Sequence, residues 1–100
     1  MRAIQFGFSH AALVDIPASD TRDELTALQN IIGGYIETIR IKDDAVLLVD
    51  EDGLMKGLMP NPTATNYVGR IILGTALLVG LTKNEDGEMV FTDVPEHCYG

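Results

Sequence analysis

The chain has no tryptophan, a single cysteine, two histidines and only seven basic residues among its 100. Each shortage excludes something. One thiol, Cys98, cannot form an internal disulfide, so no covalent staple is available, and a lone thiol suits a reducing, cytoplasmic setting. Cys98 beside His97 near the end of the sequence is not a catalytic dyad by itself, because such a pair must be oriented by a packed third group. With His10 as the only other histidine, soft ligands are too few for a zinc site. The seven bases (Arg2, Arg22, Arg40, Lys42, Lys56, Arg70, Lys83) are scattered, and fifteen acids outnumber them to a net charge of −8. Bulk nucleic acid and anionic membrane surfaces call for the opposite sign, so neither is expected as a partner. The longest apolar run, Ile71 to Leu81, is broken by Gly74, Thr75 and Gly80 and falls far short of the roughly twenty residues that span a bilayer. The first residues lack the apolar stretch and small-residue cleavage site of a secretory signal. No Ser-His-Asp arrangement, HExxH or P-loop occurs, so no cofactor or metal is expected.

What is present is ordinary for one globular domain over residues 1–100: 46% hydrophobic and 22% charged residues. A chain of this size buries roughly two-thirds of its unfolded surface. That suffices for one core but leaves little room for a deep private cavity, so a sizeable ligand would sit in a surface cleft or between subunits. The acidity reads first as solubility, and second as charge complementary to a basic partner.

Local patterning predicts an α+β domain: a small, mainly antiparallel sheet, flat or curled, with one amphipathic helix on one face. Residues 2–8 and 11–16 read as an opening hairpin ended by Pro17. Ser19, Asp20 and Thr21 are N-cap candidates, and Thr21 with Glu24 has capping-box spacing. Leu25, Leu28, Ile31 and Ile32 then recur at helical spacing until Gly33-Gly34, so a helix is predicted over 21–32 with Leu25, Leu28 and Ile32 on the sheet. Alternation over residues 35–42 and the apolar run 45–49 predict a hairpin across Asp43-Asp44. Asp50-Glu51-Asp52-Gly53 reads as a turn; it matches part of a calcium loop but lacks the late glutamate. Residues 54–58 read as a short return strand and 60–69 as a loop with a helical turn near 65–67. Residues 71–81 read as the strongest strand, with apolar content suited to a subunit contact. A turn at 84–87, an edge strand over 88–92 and a tail over 93–100 complete the chain.

Several residues stand out as site candidates. Glu37 alternates onto the face of Tyr35 and Ile39; if buried there it needs a partner, and Arg70, at the start of the apolar strand, is the candidate cation. Asn61 is held between two prolines and reads either as a turn residue or as an amide at a pocket mouth. Gly74-Thr75 marks either a close backbone approach or an amide and hydroxyl lining a pocket. Gly33-Gly34 follows a helix instead of preceding one, so it is a C-cap and not a phosphate cradle.

Leu28-Gln29-Asn30-Ile31-Ile32-Gly33-Gly34-Tyr35-Ile36-Glu37, Asp50-Glu51-Asp52-Gly53 with Gly57-Leu58, Pro60-Asn61 and Ile72-Leu73-Gly74-Thr75-Ala76 occur in an order that resembles the family catalogued as domain of unknown function 3846. The resemblance covers about residues 20–80. Asp50 stands where that family more often has Asn, and Pro62 stands where it often has Arg. The resemblance implies a phage, plasmid or other mobile-element setting. In that setting, a small non-enzymatic protein that interferes with host defence is expected, and two modes follow. One is sequestration of a small nucleotide-like signal by a homo-oligomer, with Tyr35 stacking, Asn61 and Thr75 hydrogen bonding, Arg70 on phosphate and Glu37 beside it. The other is an acidic module that inhibits a host nucleic-acid-binding protein. A carboxylate-dependent hydrolase built on Glu37 is the third expectation. The net charge opposes phosphate binding unless Arg40, Lys56 and Arg70 gather locally.

Overall fold

The computed structural model describes residues 1–17 and 20–99. The chain runs β1 (Arg2–Phe6), β2 (Ala11–Asp15), α1 (Thr21–Ile32), β3 (Ile36–Lys42), β4 (Ala45–Asp50), α2 (Pro62–Val68), β5 (Ala76–Lys83) and β6 (Met89–Thr92), then a 3-10 turn over Glu96–Cys98. The sheet is antiparallel and open, in the order β2-β1-β5-β4-β3, with β6 paired to the far half of β5. The α+β class is as the patterning predicts, with a second, short helix added. No helix among the described residues is long and apolar enough to cross a membrane.

Both faces of the sheet are covered. On one face Leu28 and Ile32 of α1 pack with Ala3, Ile16, Val46, Leu48, Leu77 and Val79. On the other face Phe6, Leu47, Val49 and Leu78 pack with Ala64 of α2, Ile72, Val94 and Cys98. This is why residues 45–49 of β4 and the first half of β5 are apolar at every position: alternate residues serve opposite cores. Burial of β5 also corrects the expected subunit contact. Residues 76–80 are fully buried at the centre of the sheet, and only Ile71 of the 71–81 run is strongly exposed.

The helix over 21–32 has the expected bounds, and its N-cap is Asp20, one of the three candidates, whose carboxylate accepts from the Asp23 amide at 2.8 Å. The expected capping box put the cap one residue later, at Thr21; Ser19 lies outside the described residues. Gly33, at φ 95°, closes the helix by donating to the Gln29 carbonyl. Leu28 and Ile32 are buried as expected, whereas Leu25 is exposed.

Three further expectations are corrected. Residues 51–57 form successive turns and no strand: Gly57 adopts φ 68°, and the Lys56 amide donates back to the Asp52 carbonyl. Residues 62–68 form a helix of nearly two turns, because Asn61 caps it and Pro62 occupies its first position. The C-terminal segment is no loose tail. Val94 and Cys98 enter the core, the Val94 amide donates to the Arg2 carbonyl, and His97 Nε2 lies 2.8 Å from Asp44 Oδ2. The His97 hydrogen bond holds the Asp44 carboxyl below its ordinary range.

Candidate functional site

The segment from Asp50 to Met59 organises the polar surface of the molecule. Asp50 ends β4 with its side chain only 2% exposed. A buried carboxylate needs partners. Asp50 Oδ1 accepts from the Asp52 amide at 2.8 Å, and Oδ2 accepts from Lys56 Nζ at 2.8 Å. Lys56 also donates to the Gly33 carbonyl at 3.1 Å. The hydrogen bond from Lys56 keeps the Asp50 carboxyl below the ordinary carboxylate range, against the opposing effect of burial. Gly34 makes room for this knot, since a Cβ there would lie 2.6 Å from Lys56 Nζ. The glycine pair after α1 and the acidic turn after β4 are thus two halves of one structure, which sequence reasoning had treated separately.

The same knot fixes the turns that follow. The Glu51 amide donates to the Tyr35 carbonyl and the Leu58 amide to the Gly53 carbonyl. At the outside of these turns Leu54 and Met55 are 82% and 89% exposed, with Met59 and Ile71 also open to solvent. Large apolar side chains this exposed on a segment this well anchored form a presented surface and not a packing residue.

Two clefts draw walls from the segment. One, of about 300 Å³, is lined by Glu37, Glu51, Leu54, Arg70 and Ile71 among others. The second, of about 540 Å³, is lined by Gln29, Asn30, Gly33, Gly34, Tyr35, Asp52 and Lys56. Glu37 and Arg70 therefore share a cleft, but no ion pair joins them among the described residues. Tyr35, 69% exposed, stands in the other cleft. Thr75, half-buried ahead of β5, lines neither.

Asn61 is removed from any ligand site. It is fully buried, and its amide is wholly used. Nδ2 donates to the Phe6 and Gly74 carbonyls, both at 2.8 Å, and Oδ1 accepts from the Ala64 amide at 3.1 Å. The Thr63 hydroxyl also lies 2.9 Å from Oδ1, with its single proton shared between Oδ1 and the Gly7 carbonyl, so both donors of the amide and its oxygen are committed within the protein. Asn61 joins the end of β1, the start of α2 and the segment before β5. Gly74 beside it serves close approach: φ is 76°, and a Cβ would meet Leu58 Cδ1 at 2.8 Å.

The cations do not gather. Lys56 is neutralised by Asp50, Arg40 donates to the Asp43 carbonyl in the β3–β4 turn, and Arg70 shares its cleft with Glu37, Asp50 and Glu51. A phosphate in that cleft would face more carboxylates than guanidinium. What sequence reasoning missed is Lys56 and its neighbours Leu54 and Met55. The available signal was a lone lysine set among apolar residues three positions after Gly53, within a motif that otherwise reads as strand.

A family model described as Domain of unknown function (DUF3846) matches residues 9–98. No curated protein and no solved structure matches the chain.

Proposed function

We propose that this chain, which belongs to the family described as domain of unknown function DUF3846, works by binding a protein partner through the 50–59 segment. The carrying observation is the near-complete exposure of Leu54 and Met55 on turns held by the buried Asp50–Lys56 pair. A preorganised apolar protrusion loses little entropy on docking, so more of its contact energy appears as affinity. Glu37, Glu51 and Asp52 border it and Lys56 is already paired, so the complementary surface is an apolar pocket rimmed by lysine or arginine. A nucleic-acid-binding protein carries such a rim. In the mobile-element setting implied by the family resemblance, that partner would be a host protein and the outcome its inhibition. Sequestration of a nucleotide-like molecule has weaker support, because Tyr35, Asn61, Arg70 and Thr75 do not converge and the bases are dispersed.

The test compares the wild-type chain with a Leu54→Asp/Met55→Asp variant as baits for lysate of the expressing host, with captured proteins quantified by mass spectrometry. The expected result is one or a few basic proteins that are retained by wild type, released by salt, and lost with the variant while its circular dichroism is unchanged. Equal capture by both baits would refute the assignment to this segment.

A further inference from the structure

The sheet has an unpaired edge that behaves unlike its others. Among the described residues β2 pairs only with β1. Met1 and Ile16 exchange both backbone hydrogen bonds, and the Gly7 amide donates to the His10 carbonyl. The strict alternation of an antiparallel ladder then assigns Val14 and Ala12 inward, bonded to Ala3 and Gln5. The amides and carbonyls of Ala11, Leu13 and Asp15 therefore point outward from the sheet, and this strand is exposed along nearly its whole length.

Natural edges are usually blunted by charge. The β3 edge carries Glu37, Arg40 and Lys42. The β6 edge is four residues long and bracketed by Glu88 and Asp93, so two copies paired there antiparallel would set carboxylate against carboxylate at both ends. β2 reads Ala-Ala-Leu-Val-Asp, and its only charge, Asp15, lies 4.0 Å from Arg2 of the neighbouring strand. Beside it is an apolar groove of about 390 Å³ whose walls include Phe6, Leu13, Tyr67 and Tyr99.

We infer that β2 is a self-association edge and that its occupant is β2 of a second copy, antiparallel across a two-fold axis at Leu13. The parity of the outward groups selects this register. Leu13 pairs with the partner's Leu13, and Ala11 with the partner's Asp15. Every outward donor and acceptor then finds a partner: two bonds come from the Leu13 pair and two from each Ala11–Asp15 pair. A two-fold at Ala12 or Val14 would leave some of them unpaired. No like charges face one another, and the two Leu13 side chains meet on the face of the sheet that carries the groove, since Leu13 lies opposite Ile4. Self-complementarity of this kind is what an isologous contact requires.

The test is sedimentation together with residue-resolved amide exchange. The wild-type chain is expected to sediment at twice its 10.9 kDa mass, with the Ala11, Leu13 and Asp15 amides protected as well as those of Ala12 and Val14. Leu13→Lys sets two ammonium groups against each other at the axis. It should sediment as a folded monomer in which Ala12 and Val14 stay protected and the odd-numbered amides exchange freely. A wild-type monomer at the concentrations used for the exchange measurement overturns the inference. So does a dimer in which the odd-numbered amides are unprotected, or one that Leu13→Lys leaves intact.

Discussion

Replacing Asn61 by alanine should unfold much of the margin by which this domain is stable. The substitution deletes two hydrogen bonds to the Phe6 and Gly74 carbonyls, the acceptor for the Ala64 amide, and the volume of a fully buried amide. Two net hydrogen bonds are worth about 2–3 kcal/mol together. Losing the α2 cap adds about 1 kcal/mol, and the vacated space adds up to about 1 kcal/mol more. The sum, roughly 3–5 kcal/mol, is a large part of the 5–15 kcal/mol typical of small domains. It corresponds to a fall in Tm of about 12 °C or more. Urea and thermal unfolding followed by circular dichroism would measure it. Asn61→Asp separates donor from cap. It keeps the acceptor for Ala64 but turns a carboxylate oxygen towards two carbonyls, so its folded pKa is raised. That variant should be least stable near neutral pH and recover as pH falls through the raised value, where the protonated carboxyl can donate again. A loss below about 1 kcal/mol for Asn61→Ala, or an Asn61→Asp stability that does not improve in acid, would refute the account of Asn61 as the joint between three segments.

Other consequences are as direct. Lys56→Met strands the Asp50 carboxylate and should cost about 1–3 kcal/mol, less than a fully interior charge because the rim is wet; chemical denaturation measures it. Gly34→Ala should displace Lys56 from the same pair, so Gly34→Ala/Lys56→Met should cost little more than the lysine change alone. The folded Asp50 pKa is lowered, so its contribution is present above the ordinary value near 3.8 and is lost as pH falls through the lowered one. Asp50→Asn should flatten that part of the acid limb. Gly80→Ala drives a methyl into the Asp93 carbonyl and the Thr92 side chain and should cost about 1–3 kcal/mol, visible as a lowered urea midpoint with unchanged slope.

Much of the fold was legible because strong local signals agreed with the tertiary outcome. Helical spacing and Gly33-Gly34 bounded α1, and the apolar run 45–49 marked β4 as a strand; that both of its faces are covered was not foreseen, since only one helix on one face was expected. Where the reading failed, a long-range contact outweighed local pattern. Residues 54–58 have strand-like composition, but Lys56 is drawn to Asp50 and Gly57 turns the chain with positive φ. Val94 and Cys98 have no periodicity to announce them, yet both complete the core beneath β5 and α2. Asn61-Pro62 did carry a cap-and-first-position signature for α2, where the sequence reading has Asn61 as a turn or pocket-mouth residue in a loop with one helical turn near 65–67. Of the candidate site, strand alternation grouped Glu37 with Tyr35, but Glu37 is exposed and the two line different clefts; Arg70, ahead of β5 and outside any strand, shares the cleft of Glu37 without pairing to it. The burial of Asn61 was not legible, because its partners Phe6 and Gly74 are brought to it by the fold.

The partnering of β5 bears on how the molecule comes into being. Its one edge is divided between β1, at residues 76–78, and β6, at residues 80–83. The β1–β2 hairpin is synthesised well before β5, the strand that takes the other edge of β1 some seventy residues later in the sequence. The edge of β1 that β5 will take stays unpaired until β5 is made. Assembly of the sheet must therefore wait for the last third of the chain. A topology this dependent on distant pairings folds slowly for its size, and the N-terminal hairpin is where a nascent-chain chaperone would be needed.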